Sequence, residues 1–215
     1  LACKDVGAGK LPKEELLYNH ILQEILYEKD LAGKKVLITA GPTCEPVDPV
    51  RIYTNRSSGK MGYSLAKECS LRGADVTLVT GKTALEPWPF VKVVPIETAQ
   101  QMFEEVTSRA PEMDIIIKAA AVADYRPKTV ADENIKKSDG EFVLEFERTQ
   151  DILKYLGEHK PDGQFLCGFS METENMLENS RSKLSKKNAD MIVANNLKVQ
   201  GAGFAGDTNV VTMIT

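Results

Sequence analysis

Short runs of consecutive apolar residues recur along the chain, and segments with a helical period separate several of them. The apolar runs lie at residues 34–40, 75–80, 91–95, 114–118, 164–169 and 190–194. Runs of this length are typical of strands that are buried on both faces of a parallel sheet. Apolar residues return every three or four positions at residues 60–72, 99–109 and 174–187, which indicates helices. Strands that alternate with such helices predict an α/β fold with a parallel sheet and right-handed crossovers.

The same helical period occurs near the start of the chain. Residues 13–29 carry apolar side chains at spacing four, among them Ile21 and Ile25, and this predicts an amphipathic helix. The chain starts at Leu1 rather than at Met, and it stops at Thr215 inside a segment with the pattern of a strand. We therefore expect a fragment of a longer protein.

Two long stretches interrupt the alternation of strands and helices. Residues 41–59 contain prolines and show no clear period, and residues 125–140 are polar and rich in lysine. Long loops without regular structure are usually functional or mobile. Each stretch follows a predicted strand, and ligands of open α/β sheets bind at the carboxyl ends of the strands. The function is therefore expected at these two loops.

Charge and hydropathy make several partners improbable. Lys and Arg number 27 against 31 Asp and Glu, which gives a net charge of −4 and no overall electrostatic footprint for nucleic acid. No uncharged apolar run approaches the roughly 20 residues of a membrane span. The first ten residues contain no apolar core of a signal peptide. We expect a cytoplasmic protein that binds neither membranes nor nucleic acids.

The cysteines and histidines give no metal-binding pattern. The cysteines lie far apart and form no CxxC pair, which favours reduced thiols over a disulfide framework or a zinc ribbon. They are Cys3, Cys44, Cys69 and Cys167. The histidines, His20 and His159, exclude an HExxH zinc site. We expect no metal site built from protein side chains.

Residues 41–62 form the first block with chemical potential. Ser57, Ser58 and Gly59 precede a predicted helix, and Ser58 is a suitable N-cap. The free N–H groups at such a helix start bind phosphate or carboxylate, although most capped helices bind nothing. The loop also gathers charged and amide side chains, which favours a binding site. These side chains are Asp48, Arg51, Asn55, Arg56 and Lys60.

Two further groups of residues follow predicted strands. Ala119, Ala120 and Ala121 would let a flat ligand approach the backbone closely, and Asp124 could accept hydrogen bonds from it. The lysines Lys136 and Lys137 of the second loop, and Lys183 and Lys187 with Phe169, could serve a nucleotide. The alternative is that the lysines are a solvated loop and a solvated helix face.

Common nucleotide motifs are absent. The Walker pattern fails because Met61 follows Gly59-Lys60, and no GxGxxG follows the first strand. A dinucleotide-dependent oxidoreductase is therefore supported by the sheet pattern alone.

The motifs GPTCEPVDPVRIYTNRSSGKMG, AAAVADYRP, IKK, GFSMETE and FAGDTN resemble the bacterial phosphopantothenate–cysteine ligase, the second half of a bifunctional coenzyme A biosynthesis flavoprotein. The resemblance covers residues 34–215. It implies a Rossmann-like α/β fold, in which a parallel sheet with a mixed edge carries helices on both faces, and a homodimer. It also implies a ligation in which 4′-phosphopantothenate and CTP, with Mg²⁺, form an acyl-cytidylate that L-cysteine then attacks.

The resemblance also assigns site residues. It implies that Asn55, Lys136 and Lys137 are catalytic. The substrate-binding residues would be Gly41, Arg51, Asn55, Ser57, Ser58 and Gly59. The CTP-binding residues would be Lys118, Ala119, Ala120, Asp124, Asn134, Gln150, Asp151, Ile152, Leu153, Phe169, Lys183 and Lys187.

The sequence departs from the family pattern in the second loop and at both ends. Asn134 stands where the family commonly has a lysine that contacts CTP. Residues 1–33 resemble the tail of the fused decarboxylase half and a linker helix, with Cys3 at the place of that half's proton donor. FMN is expected in the decarboxylase half only, and Cys3 alone would not function. The domain over residues 34–215 is expected to be truncated at its C-terminus. A non-catalytic dimerisation or regulatory module is thus the alternative function.

Overall fold

The structure, a computed structural model, describes residues 11–137, 141–172, 175–196 and 208–215. In chain order its elements are α1 (Glu14–Ile25), β1 (Lys35–Ala40), β2 (Cys44–Pro46), β3 (Ile52–Thr54), α2 (Lys60–Leu71), β4 (Asp75–Thr80), β5 (Lys92–Pro95), α3 (Ala99–Arg109), a 3₁₀ helix (Ala110–Glu112), β6 (Ile115–Lys118), β7 (Tyr125–Pro127), β8 (Phe146–Arg148), α4 (Ile152–Glu158), β9 (Phe165–Glu172), α5 (Met176–Lys186), β10 (Met191–Asn196) and β11 (Val211–Ile214). Among the helices of these ranges, none has the length and apolarity to cross a membrane.

The predicted apolar runs form the central sheet. The described strands give a 7-stranded sheet in the order β11-β10-β9-β6-β1-β4-β5. Its pairs are parallel except that of β10 with β11, which is antiparallel. This confirms the predicted α/β fold and its mixed edge. The strand order reverses at β1, which lies between β4 and β6, and such a switch point is where open α/β sheets bind ligands.

The core has a layer on each face of the sheet. Leu37 of β1 packs into a cluster with residues of α3 and α4, whereas its neighbours Val36 and Ile38 pack into a cluster on the side of α2. Alternate residues of a strand point to opposite faces, so β1 is buried on both sides. Burial of each such side chain stabilises the fold by about 1.5–3 kcal/mol. Helices therefore cover both faces, as predicted.

The start of α2 differs from the prediction by one residue. Gly59, rather than Ser58, is the N-cap, with a φ of 82°. This left-handed conformation costs little for glycine and is unfavourable for residues with a Cβ. The hydroxyl of Ser58 still accepts a hydrogen bond from the N–H of Lys60 at 3.5 Å. The prediction failed because the backbone turn into the helix, rather than a capping side chain, decides the N-cap here.

Regular structure also occurs where none is predicted. Within residues 41–59, β2 and β3 form an antiparallel ribbon, and β7 and β8 form a second ribbon after β6. The ribbons contact each other through Tyr53 and Phe146, whose ring centroids are 5.0 Å apart. The buried carboxylate of Glu45 accepts a hydrogen bond from the N–H of Ala99 at 2.8 Å. The first long loop is therefore an ordered part of the fold.

Helix α1 is present as predicted, but its apolar stripe faces solvent. None of its residues is buried, and Ile21 and Ile25 are 54% and 73% exposed. The opposite face carries Gln23, whose Nε2 donates a hydrogen bond to the carbonyl oxygen of Ser70 at 2.7 Å. The helix is thus attached to α2 through polar groups.

The described cysteines, Cys44, Cys69 and Cys167, are free thiols. Burial raises the pKa of Cys167 to about 12. Burial also raises the pKa of Cys69, and the nearby Arg72 opposes this in part. Cys3 lies outside the described residues.

Candidate functional site

A large cavity lies at the carboxyl edge of the sheet on the side of α2. Its volume is about 1260 Å³, above the usual 300–1,000 Å³ of small-molecule pockets. Its lining includes seven of the predicted site residues, namely Asn55, Ser57, Ser58, Gly59, Ala119, Ala120 and Phe169. The first predicted loop and the end of β6 therefore meet at one site.

A glycine beside the cavity lets α2 pack closely on β1. A Cβ added to Gly62 would lie 2.5 Å from the Cβ of Ala40 and 2.9 Å from the carbonyl oxygen of Thr39. These distances are shorter than any contact that the core can accommodate without movement. The first turn of α2 thus packs directly on the end of β1, because Gly62 has no side chain.

Hydrogen bonds join the segments that follow β1 and β6. The N–H of Ala121 donates to the carbonyl oxygen of Gly41 at 2.9 Å, and the N–H of Thr43 donates to the carbonyl oxygen of Ala121 at 3.2 Å. The hydroxyl of Thr39 accepts from the N–H of Ala120 at 3.1 Å. The backbone of Gly41 therefore holds Ala121, which lines the cavity.

Asn55 is fixed by the same segment. Its Nδ2 donates a hydrogen bond to the carbonyl oxygen of Ala121 at 3.1 Å. A carboxamide nitrogen carries two donors, so this bond orients the amide while the second N–H can serve a ligand. The side chain predicted to be catalytic thus has a defined position at the cavity wall.

Two further asparagines at the cavity are missing from the predicted residues. The Oδ1 atoms of Asn195 and Asn209 are buried without a hydrogen-bond partner, and both residues line the cavity. Unpaired buried acceptors are rare in native proteins, so these atoms are suited to accept N–H groups of a ligand. The polar pair Asn195-Asn196 directly follows the apolar run at residues 190–194, and this pair could have indicated Asn195 as a site residue.

A charged cluster lies at the same edge but on the opposite face of the sheet. Lys118 follows Ile116, which packs with α3 and α4, by two residues and therefore shares its face. Asp151 caps α4, since its Oδ1 accepts a hydrogen bond from the N–H of Lys154 at 2.9 Å. The ammonium of Lys187 donates to the other oxygen of Asp151. The cluster thus joins residues that are distant in sequence.

The pKa values in this cluster are shifted. Burial lowers the pKa of Lys118 to about 8, although the negative charges of Asp151 and Asp124 oppose this. Burial tends to raise the pKa of Asp151, but the hydrogen bonds from Lys187 and from the N–H of Lys154 outweigh it and lower the pKa. Lys118 is therefore a cation that can lose its charge near neutral pH.

Arg51 and Asn134 form a third group. The guanidinium of Arg51 binds the buried carboxylate of Asp48 and donates to Oδ1 of Asn134 at 3.0 Å. Burial tends to raise the pKa of Asp48, but hydrogen bonds from the N–H groups of Val50, Arg51 and Ile135 and from the Arg51 guanidinium lower it to about 2. Asn134 thus ties the second predicted loop to the first.

The remaining predicted residues are dispersed. Lys136 and Lys137 are exposed beyond this third group, and the side chain of Ile152 is in the core. Leu153 packs beside Gly168, and Nζ of Lys183 is 3.4 Å from the hydroxyl of Ser170. Asp124 is exposed and acts on Lys118 through its charge. Gln150, next to Asp151, is exposed.

Comparison with known proteins agrees with the motifs. The family model of the DNA/pantothenate metabolism flavoprotein C-terminal domain, DFP, matches residues 31–215. The Coenzyme A biosynthesis bifunctional protein CoaBC of Bacillus subtilis is 48% identical over 218 residues, which cover 99% of this chain and 53% of that protein. The chain thus spans about half the length of this relative.

Solved structures give the same result. The crystal structure of the C-terminal domain of a CoaBC protein has a TM-score of 0.71 and 51% identity, and the match covers 85% of this chain and 82% of that one. The DNA/pantothenate metabolism flavoprotein from Streptococcus pneumoniae has a TM-score of 0.71 and 26% identity, with coverage of 84% and 93%. These matches confirm the resemblance of the motifs, and the chain belongs to the family of DNA/pantothenate metabolism flavoprotein C-terminal domains.

Proposed function

We propose that this domain is a ligase of coenzyme A biosynthesis that joins 4′-phosphopantothenate to L-cysteine at the expense of CTP. The similarity to CoaBC proteins and to the C-terminal domain of one of them supports the pathway and the reaction class. The observation that carries the proposal is the cavity in which the oriented amide of Asn55 meets the open start of α2.

The reaction proceeds in two displacements. A carboxylate oxygen of 4′-phosphopantothenate attacks the α-phosphorus of CTP, and pyrophosphate leaves. The amine of cysteine then attacks the acyl carbon of the resulting acyl-cytidylate, CMP leaves, and the amine loses a proton. Negative charge develops on the acyl oxygen in this second step, and a fixed N–H donor at that oxygen stabilises the transition state. We assign this role to the second N–H of Asn55, since the first is held by Ala121.

A magnesium ion would arrive with the nucleotide. Mg²⁺ usually keeps several waters and binds through one or two carboxylates plus substrate phosphates. The described part of the chain has no group of three or more His, Cys, Asp or Glu side chains that could hold a metal. We propose that the ion enters with the triphosphate of the nucleotide. Such an ion would neutralise phosphate charge.

The proposal includes a homodimer that forms through the two ribbons. Val50, Ile52 and Tyr53 lie at the first ribbon and Tyr125 lies on the second, and all four are exposed apolar or aromatic side chains. Exposed apolar patches of this kind are typical of interaction surfaces. Sedimentation equilibrium of the purified chain measures the oligomeric state.

The test of the proposed function is the release of pyrophosphate and CMP. The chain is incubated with CTP, Mg²⁺ and 4′-phosphopantothenate, with and without cysteine, and ATP replaces CTP in a control. We expect pyrophosphate to be released from CTP even without cysteine. CMP should be released only after cysteine is added. Without pyrophosphate from CTP, the domain would instead be a non-catalytic module.

Asn55→Asp tests the role of the amide. A carboxylate cannot donate a hydrogen bond, so the second step should slow by roughly 10²–10³-fold while pyrophosphate release persists. The acyl-cytidylate should then accumulate, which mass spectrometry of quenched reactions detects. Gln100→Glu, the same amide-to-carboxylate change at a half-buried position of α3 whose amide donates to Glu104, is the matched control and should keep wild-type turnover. Wild-type turnover in Asn55→Asp would refute the role.

A further inference from the structure

Helix α1 contributes a wall of the cavity. Lys13, at its N-cap, and Glu15, Leu16 and Asn19 within it line the cavity together with Trp88. The family model begins at residue 31, so this wall comes from a segment outside the family domain. The cavity is therefore a joint product of the domain and of the helix that precedes it.

Gln23 connects this helix to the rest of the domain through two hydrogen bonds. Its Nε2 donates to the carbonyl oxygen of Ser70 at 2.7 Å, and its Oε1 accepts a hydrogen bond from the indole N–H of Trp88 at 2.9 Å. The amide thus uses both ends, one on α2 and one on the loop that follows β4. Lys67 places its ammonium 4.5 Å from the centroid of the Trp88 ring on the same side.

Few other contacts attach the part of α1 that lines the cavity. The helix has 12 residues, none of them buried, and isolated helices of this length are marginal in water. His20 and Phe90 add an edge-to-face contact with ring centroids 4.7 Å apart. Just beyond its C-terminal end, Lys29 donates to the carbonyl oxygens of Gln23 and Leu71, and Asp30 pairs with Arg72. The part of α1 that forms the cavity wall lies before this anchor, and its contacts centre on Gln23 and Trp88.

We propose that α1 is a movable wall of the nucleotide cavity, and that Gln23, through Trp88, is the positioning residue that holds it closed. A ligand that touches Leu16 and Asn19 binds the docked state more tightly than the undocked one, so binding and docking stabilise each other. This inference rests on the proposed function because the ligand that it invokes is CTP.

Trp88 supplies the readout, since the chain contains 1 tryptophan. In the wild-type chain, CTP titrated with Mg²⁺ should change the Trp88 fluorescence, with a midpoint equal to the dissociation constant measured by calorimetry. In Gln23→Ala the emission should shift to longer wavelength before any ligand is added, because the ring becomes more exposed. The KM for CTP should rise about 3- to 10-fold, while kcat changes less than twofold, as expected for lost binding energy that is uniform along the reaction.

The control is Glu24→Ala, on the same helix and outside the described contacts of Gln23, which should retain the wild-type emission and KM. Trp88→Phe removes the N–H donor and keeps an aromatic ring, so its KM should rise as in Gln23→Ala. The double variant should be no worse than either single variant, because both remove the same interaction. Far-UV circular dichroism verifies that each variant is folded. If Gln23→Ala is not folded, the KM of Trp88→Phe for CTP decides whether the contact holds the wall.

Two outcomes overturn the inference. If wild type turns over CTP but its Trp88 emission does not respond, or if Gln23→Ala and Trp88→Phe keep the wild-type KM, α1 does not act on the cavity and the ligase function stands. If wild type itself neither binds nor cleaves CTP, the proposed function fails first and this inference fails with it.

Discussion

The two faces of the sheet differ sharply at its carboxyl edge. On the side of α2, the residues that line the cavity at the sheet edge, such as Ala119 and Phe169, are uncharged, and charged lining residues such as Lys60 and Lys67 come from α2. On the side of α3 and α4, Lys118, Asp151 and Lys187 form a charged cluster. Lys118 and Ala119 are consecutive in sequence but contribute to different groups. The predicted CTP-binding residues are therefore divided between the two faces, and a nucleotide that contacts both would lie across the sheet edge.

The difference shows how each face is built. The cavity depends on residues that leave space, and its hydrogen bonds run mainly between backbone groups of neighbouring loops. The charged cluster depends on ionic contacts between residues distant in sequence, with a pKa of Lys118 near 8. We expect perturbations of the charged face to alter pH dependence, and perturbations of the cavity face to alter stability.

The largest effect is expected from Lys118. Because burial lowers its pKa to about 8, the ammonium loses its proton as the pH rises from 7 to 9, and CTP affinity should fall in this window. Lys118→Met should show the low affinity at every pH, roughly 10- to 100-fold below wild type at pH 7, since a hydrogen bond to a charged group contributes about 1.5–3 kcal/mol. Calorimetry across this pH range measures both effects.

Stability should show the opposite trend for the same residue. The pKa of Lys118 is about 8 in the folded chain against an ordinary value of 10.5, so the unfolded chain binds more protons between these values. The contribution of Lys118 to the free energy of unfolding therefore rises with pH across this window, and Lys118→Met should remove that rise. Lys154→Met, at an exposed lysine of α4, is the control and should keep the wild-type pH profile of stability. If Lys118→Met also has the wild-type pH profile, the lowered pKa is not that of Lys118.

The second effect concerns the cavity face. Gly62→Ala places a methyl group against Ala40 and the carbonyl oxygen of Thr39, so α2 has to move away from β1. We expect a loss of about 1–3 kcal/mol in the free energy of unfolding, measured by urea denaturation. Ser64→Ala, at an exposed position of the same helix, should change it by less than about 0.5 kcal/mol. Equal stability of the two variants would mean that the close contact is relieved at no cost.

The smallest effect is expected from the cap of α4. Asp151→Ala removes the acceptor for the N–H of Lys154 and the partner of Lys187. Loss of such a cap costs about 0.5–2 kcal/mol, which thermal denaturation at pH 7 would show as a lower Tm. Glu158→Ala, at the other end of α4, should have little effect. An unchanged Tm for Asp151→Ala would mean that neither the cap nor the ion pair with Lys187 stabilises the domain.

The sequence predicted the sheet because its strands are continuous apolar runs. The local pattern alone identifies β1, β4, β6, β9 and β10, of which β1 and β4 are almost completely buried, and also β5, which is mostly exposed. Helix α4 was missed because seven residues span too few turns for a period to emerge. The ribbons were missed because strands of three residues are set by tertiary pairing rather than by local preference.

The candidate site was predictable in its parts but not in its grouping. The motifs named Asn55 and the residues after β6 as candidates, because both follow predicted strands in the chain. They could not show that Lys118 lies with Asp151, or that Asn134 accepts a hydrogen bond from Arg51, because these pairs are joined only in the folded chain. The exposed stripe of α1 was unpredictable for the same reason, since periodicity shows an apolar face and not what covers it.

The burial of Cys167 has a consequence for redox chemistry. Thiol–disulfide exchange proceeds through the thiolate, and the raised pKa values of Cys167 and Cys69 leave these residues protonated at neutral pH. Cys167 lies on the same face of β9 as Phe169, beneath a cavity where we propose that free cysteine reacts. A protonated, buried thiol at this position is a poor nucleophile towards the disulfide that forms when such a substrate is oxidised. Cys167 can thus lie beneath a site for a reactive thiol without entering exchange with its oxidised form.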